Sequence, residues 1–222
     1  MTTTAAAVMS AQLELSQRLW LVVILCIGVF EWCHPCFHLF GGRSRPTLWR
    51  RSGDRMNLTI YAQRLAAAVA SRKKSAFDDL CFDLEGEQLT REHWQPEVFA
   101  LVLEALRDPV ICGLSGARSF VLSLYNDFEK LTVEQRASLL EAFDAEADNF
   151  GDEMLRHSVS DLIARKYSSQ EALRVFIQWA NAGSPNRRHM ALVGLDVLIM
   201  ASRLNARDQV KAQSLLADLN HA

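Results

Sequence analysis

From residue 57 onward, apolar side chains recur every three or four positions in a series of short segments separated by polar and turn-forming residues. Leu65, Ala68 and Val69 mark the first stripe, opened by Asn57 or Thr59 and running to about Arg72. Phe77, Leu80, Cys81 and Leu84 mark a second, stopped near Gly86. Pro96 suits the first turn of a third helix, whose stripe is Phe99, Val102, Leu103 and Leu106 and which Pro109 closes. Val121, Leu124, Tyr125 and Phe128 follow a cap expected at Ser115. Ala137, Leu140, Phe143 and Ala147 come next, then Leu155, Val159, Leu162 and Ile163 on a helix from about Asp152 to Tyr167. Ala172, Val175, Phe176 and Trp179 form the stripe after that. The segment from Pro185 to Leu204, capped by Ser184, is apolar nearly all round, which predicts an interior helix. A last amphipathic helix carries Ala212, Leu215, Leu216 and Leu219. No stretch shows the alternation of β-branched residues that marks a strand, so the chain reads as all-α.

The helix starts recur at a fixed distance. Thr132-Val133-Glu134-Gln135 and Ser168-Ser169-Gln170-Glu171 both read as capping boxes, in which the cap oxygen and the side chain three residues on satisfy otherwise unpaired backbone N–H groups. Asn205-Ala206-Arg207-Asp208 opens a shorter third copy. Regular spacing of helix pairs predicts an α-solenoid with the last helix as its end cap. The run Gly183-Ser184-Pro185-Asn186-Arg187-Arg188-His189-Met190-Ala191-Leu192-Val193-Gly194-Leu195 resembles the turn and second helix of a HEAT-type repeat. Asp152 to Ile163, with Leu155-Arg156, and Gly116 to Tyr125, with Ala117-Arg118, echo it more weakly. The resemblance spans about residues 94–219. It implies a right-handed α-solenoid of antiparallel helix pairs, HEAT-like or armadillo-like, and, for such proteins, a scaffold or binding module.

Charge divides the chain at about residue 55. Residues 1–55 hold six Arg against three acids, a net of +3, and residues 56–222 hold 18 basic against 23 acidic residues, a net of −5. An acidic helical domain is poorly suited to a nucleic-acid backbone, and Arg72-Lys73-Lys74 reads as a basic helix end rather than a phosphate-binding patch. The expected domains are therefore an appendage, 1–55, and a helical repeat domain, 56–222. Residues 19–40 are apolar or aromatic except for a few positions such as Glu31, a length that suits a transmembrane helix. Five arginines follow that run and one precedes it, which would place the helical domain on the cytoplasmic side of an inner membrane. The alternative is an over-long gene call, with Met56 as the start of a cytoplasmic protein.

Candidate chemistry is sparse. Trp32-Cys33-His34-Pro35-Cys36 resembles the Trp-Cys-x-Pro-Cys of thioredoxin-like proteins, which implies a nucleophilic first cysteine, but the surrounding βαβ pattern is missing. With His34 and His38 the same cysteines make half of a zinc site. Cys81 lies on an apolar stripe and reads as a buried hydrophobe. Glu153 and His157 have ligand spacing, one turn apart, but such pairs are common on solvent faces. His189 is assigned to turn packing. The acidic run Asp144 to Glu153 departs from a calcium loop, with Asn149 where glycine should stand and Leu155 where the closing acid should stand. No catalytic residue, metal or cofactor is expected.

These readings favour a non-enzymatic protein-binding module, in one version a bacterial inhibitor or immunity-type protein masking a basic partner. A membrane-anchored cytoplasmic adaptor is the first alternative, and a thiol–disulfide or nucleic-acid-directed enzyme the second. The expected binding edge is the turn holding Asp144, Glu146, Asp148, Phe150, Asp152 and Glu153. There Phe150 is expected either to serve as an apolar anchor within a charged rim or to tuck back as a helix-end contact.

Overall fold

A computed structural model describes residues 58–88 and 91–221. The apolar run 19–40, the Cys33/Cys36 motif and the division at residue 55 lie outside the described residues. Among those described, the protein is all-α: α1 (Leu58–Ser71), α2 (Lys74–Gln88), α3 (Pro96–Leu106), α4 (Pro109–Cys112), α5 (Ala117–Asn126), α6 (Val133–Glu146), α7 (Glu153–Lys166), α8 (Ser169–Ala180), α9 (Pro185–Met200) and α10 (Ala206–Asn220). A single 3-10 turn, Phe128–Lys130, separates α5 from α6. No helix among the described residues is long and apolar enough to cross a membrane.

The helix starts follow from their capping chemistry. Thr132 and Ser168 each complete a capping box, with Gln135 and Glu171 respectively. Asn205 accepts the Asp208 N–H at 2.9 Å, and Ser184 caps α9 with Pro185 at its first position. α5 departs from expectation. Its cap position is Gly116, not Ser115, and no side chain caps it. The reason is packing: a Cβ at Gly116 would lie 2.1 Å from the Phe77 ring, so only glycine lets this backbone close on α2.

α2, α5, α7 and α9 form one continuous row, each packed on the next. A side-chain hydrogen bond ties each step of that row: Ser119 Oγ to Asp78 (2.5 Å), Arg118 Nε to Ser158 Oγ (3.0 Å), and Ser160 Oγ to the Met190 carbonyl (3.0 Å). α1 lies against α2, α3 against α5 and α6, α8 against α9, and α10 against α8 and α9. The core is continuous from Tyr61 and Leu65 to Leu198 and Ala212, with Trp179, Phe120, Phe143, Phe150 and Phe176 among its fully buried side chains. α9 touches α7, α8 and α10 but is not fully interior as expected: it buries Met190, Ala191, Gly194, Leu195 and Leu198, while Leu192, Val193, Val197 and Ile199 are half-buried and Met200 is 76 % exposed. Its Gly194 faces the Phe176 ring, where a Cβ would sit 2.1 Å from the ring carbon.

One stripe is only partly as predicted, with Phe143 and Ala147 buried but its first half turned. α6 buries Gln135, Leu139, Ala142 and Phe143, while Ala137 is exposed and Leu140 half-buried. Gln135 sets this orientation. Its side chain accepts from Thr132 N at 2.9 Å and donates to the Trp94 carbonyl at 3.4 Å, so it must face inward.

Candidate functional site

The acidic turn between α6 and α7 is a structural joint. Asp144, near the end of α6, accepts from Trp179 Nε1 at 2.6 Å, from Arg187 at 2.7 Å and from Gln178 Nε2 at 3.2 Å. The Arg187 guanidinium also reaches the Asp144 carbonyl (2.5 Å) and Asp148 Oδ2 (3.0 Å). One arginine on the first turn of α9 thus neutralises two acids and satisfies an unpaired carbonyl at the C-terminal end of α6, where the helix dipole favours a cation. A hydrogen bond from Ser184 and the Arg187 charge hold the Asp148 carboxyl below the usual carboxylate range. Glu146 accepts from Asn149 at 2.8 Å, and Asp152 caps α7 by accepting the Leu155 N–H at 2.9 Å.

Phe150 is 0 % exposed and meets Phe143 edge-to-face, with ring centroids 6.3 Å apart. This corrects its reading as an exposed anchor: the side chain closes the end of the core, and the two rings are better used there than in water. Arg156 donates to the Phe150 carbonyl at 2.8 Å and so fixes the turn from α7. The six predicted residues are therefore close together, but four of the five acids are engaged within the chain. Glu153 stands apart, 68 % exposed, with His157 as its neighbour.

An open groove of about 580 Å³ lies between α6 and α8. Val133, Ala137 and Leu140 line one side and Val175 the other, with Phe128 and Tyr167 at its base. Val133 is 75 % exposed. Tyr167 is held by donating to the Arg136 carbonyl at 2.8 Å and by an edge-to-face contact with Phe128, and burial pushes its hydroxyl pKa up. The rim carries Arg136, Lys166 and Arg174 against Glu141, Asp144 and Glu171. Arg136 and Lys166 both approach Glu129, at 3.7 and 3.6 Å, so part of the positive charge is already compensated. Ala137 lies exposed in this groove, and Leu140, half-buried, lines it while packing against the edge of the core. Sequence reasoning placed those two residues inside and so missed it.

The cysteines in the described residues offer no nucleophile. Cys81 and Cys112 are buried. Burial, with Glu146 and Asp108 nearby, pushes the Cys112 thiol far up, which leaves it protonated and unreactive. Comparison with protein-family models, with curated proteins and with solved structures finds no match to the chain.

Proposed function

We propose that residues 56–222 form a HEAT-like α-solenoid that acts as a non-enzymatic protein-binding module, and that the α6–α8 groove is where its partner docks. The carrying observation is the groove itself: it lies between α6 and α8 and is lined by apolar Val133, Ala137, Leu140 and Val175 together with charged Arg136, Glu141, Lys166, Glu171 and Arg174. An apolar centre inside a polar rim is the usual anatomy of a protein interface. Packing of α2, α5, α7 and α9 in one row, with three capped helix starts at regular spacing, supports the solenoid reading. The partner segment that fits is an amphipathic helix with basic flanks. The acidic balance of residues 56–222, and Glu141 and Glu171 on the rim, support a basic partner, as an inhibitor or immunity-type protein would require. A cytoplasmic setting, or attachment to the inner membrane through residues 19–40, is compatible with the same groove. Fractionation of the native protein separates the two.

The test is capture from native cells with the full chain and two variants. Ala137→Arg places a cation in the groove, and Val210→Arg places one on α10, away from it. A partner retained by the wild type and by Val210→Arg but lost with Ala137→Arg is the expected outcome. Equal capture by all three moves the binding face elsewhere.

A further inference from the structure

We propose that Glu153, His157 and His189 form a binding site for a divalent transition-metal ion of the Zn²⁺ class. The site is separate from the groove and independent of the binding reading above. α7 and α9 are neighbours in the row, tied by Ser160 Oγ donating to the Met190 carbonyl. His157 is the fifth residue of α7 and His189 the fifth of α9, and the two imidazoles lie 5.3 Å apart with their rings tilted by 57°. Glu153, one turn before His157, completes the set. One potential ligand atom from each of the three residues lies within 4.8 Å of the others.

Three observations point to an ion rather than to hydrogen bonds. His157 Nε2 and Glu153 Oε1 are 3.8 Å apart, too far for a hydrogen bond. Bonds of about 2.0–2.1 Å to a tetrahedral ion place ligand atoms roughly 3.3 Å from one another, so the three side chains would have to draw together by up to about 1.5 Å to close the site. His189 Nε2 is buried and has no hydrogen-bond partner. A buried ring nitrogen left unpaired is costly. A metal bond would satisfy one nitrogen of this imidazole and fix which one carries the proton. Two imidazoles with one carboxylate suit Zn²⁺, and the partial exposure of Glu153 and His157 leaves room for water in the remaining positions. The same donors are a poor match for Mg²⁺ or Ca²⁺, which take oxygen ligands. The neighbouring Arg156 charge weakens the hold on a cation.

The test is calorimetric titration of the chelator-stripped full chain with ZnCl₂, with MgCl₂ as the comparison. The cysteines at 33 and 36 are a competing site, so Cys33→Ser/Cys36→Ser is the reference, and His157→Ala and Glu153→Gln/His189→Ala are made in that background. Circular dichroism checks that each variant remains folded; His157→Ala, changing a partly exposed residue, is the conservative one. The expected result has three parts. One equivalent of Zn²⁺ binds to the cysteine variant, affinity falls at least tenfold when the His157 or the Glu153/His189 changes are added to it, and MgCl₂ gives no heat. Absent Zn²⁺ binding in the cysteine variant, or binding that survives the added histidine changes, overturns the proposal.

Discussion

Replacing Asp144 by alanine removes the acceptor at the centre of the α6–α9 joint. The carboxylate takes hydrogen bonds from Trp179, Arg187 and Gln178. Trp179 is 0 % exposed, so its indole N–H would lose its partner in a dry setting. That loss costs about 1–3 kcal/mol. Arg187 keeps Asp148 and the Asp144 carbonyl, so its own penalty is smaller than for a fully stranded charge. With Asp144 about a third exposed, solvent replaces part of the ion pair. Asp144→Ala should therefore destabilise the protein by about 2–4 kcal/mol, read as a lower urea midpoint with an unchanged slope. Asp144→Ala in a Trp179→Phe background should cost less, because the indole donor is then gone, and the difference between the two costs measures the coupling. A loss under about 0.5 kcal/mol would mean that the joint is slack. The acid would then be spare, and a partner-binding role for this turn would return.

Gly194→Ala should destabilise by about 1–3 kcal/mol, despite alanine's better helix propensity, because the new methyl group would overlap the Phe176 ring. Chemical denaturation reads it, and a stabilised variant would show that α8 and α9 pack less closely than described. The Asp148 carboxyl is held below its ordinary pKa by Ser184 and Arg187, so its contribution is present above about pH 4 and is lost as pH falls through the lowered folded value. The stability gap between the wild type and Asp148→Asn should accordingly narrow in acid, and a gap constant from pH 7 to pH 2 would refute the assignment.

Local chemistry made most helices legible. Thr132 with Gln135, Ser168 with Glu171, and Asn205 with Asp208 act within four residues, so no tertiary knowledge is needed to read them. Helix ends were harder. The end of α1 was read correctly at about Arg72, but α9 stops at Met200 rather than Leu204, shortly before Ser202 with a positive φ of 51°, where a glycine would have signalled the stop. The turn of α6 was also hidden, because its sequence supports two overlapping apolar faces and the choice depends on tertiary contacts, such as that of Gln135 with the Trp94 carbonyl some forty residues earlier.

The partners of the candidate sites lie further still. Periodicity tells what a helix buries but not which helix it meets. Arg187 reaches Asp144 across 43 positions. The acidic run therefore looked free in the sequence, although its counter-charge stood at the start of a later helix. A signal for the proposed metal cluster was nevertheless present in the sequence. When the capped starts at Asp152 and Ser184 are superposed, Arg156-His157 falls on Arg188-His189, the same pair at the same depth of two helices. In a row of stacked helices, equal depth means adjacency, and the two imidazoles do lie side by side. A histidine read alone is most simply a turn-packing residue. The same histidine repeated in register is half of a ligand set, and the acid one turn before the first copy supplies the third donor.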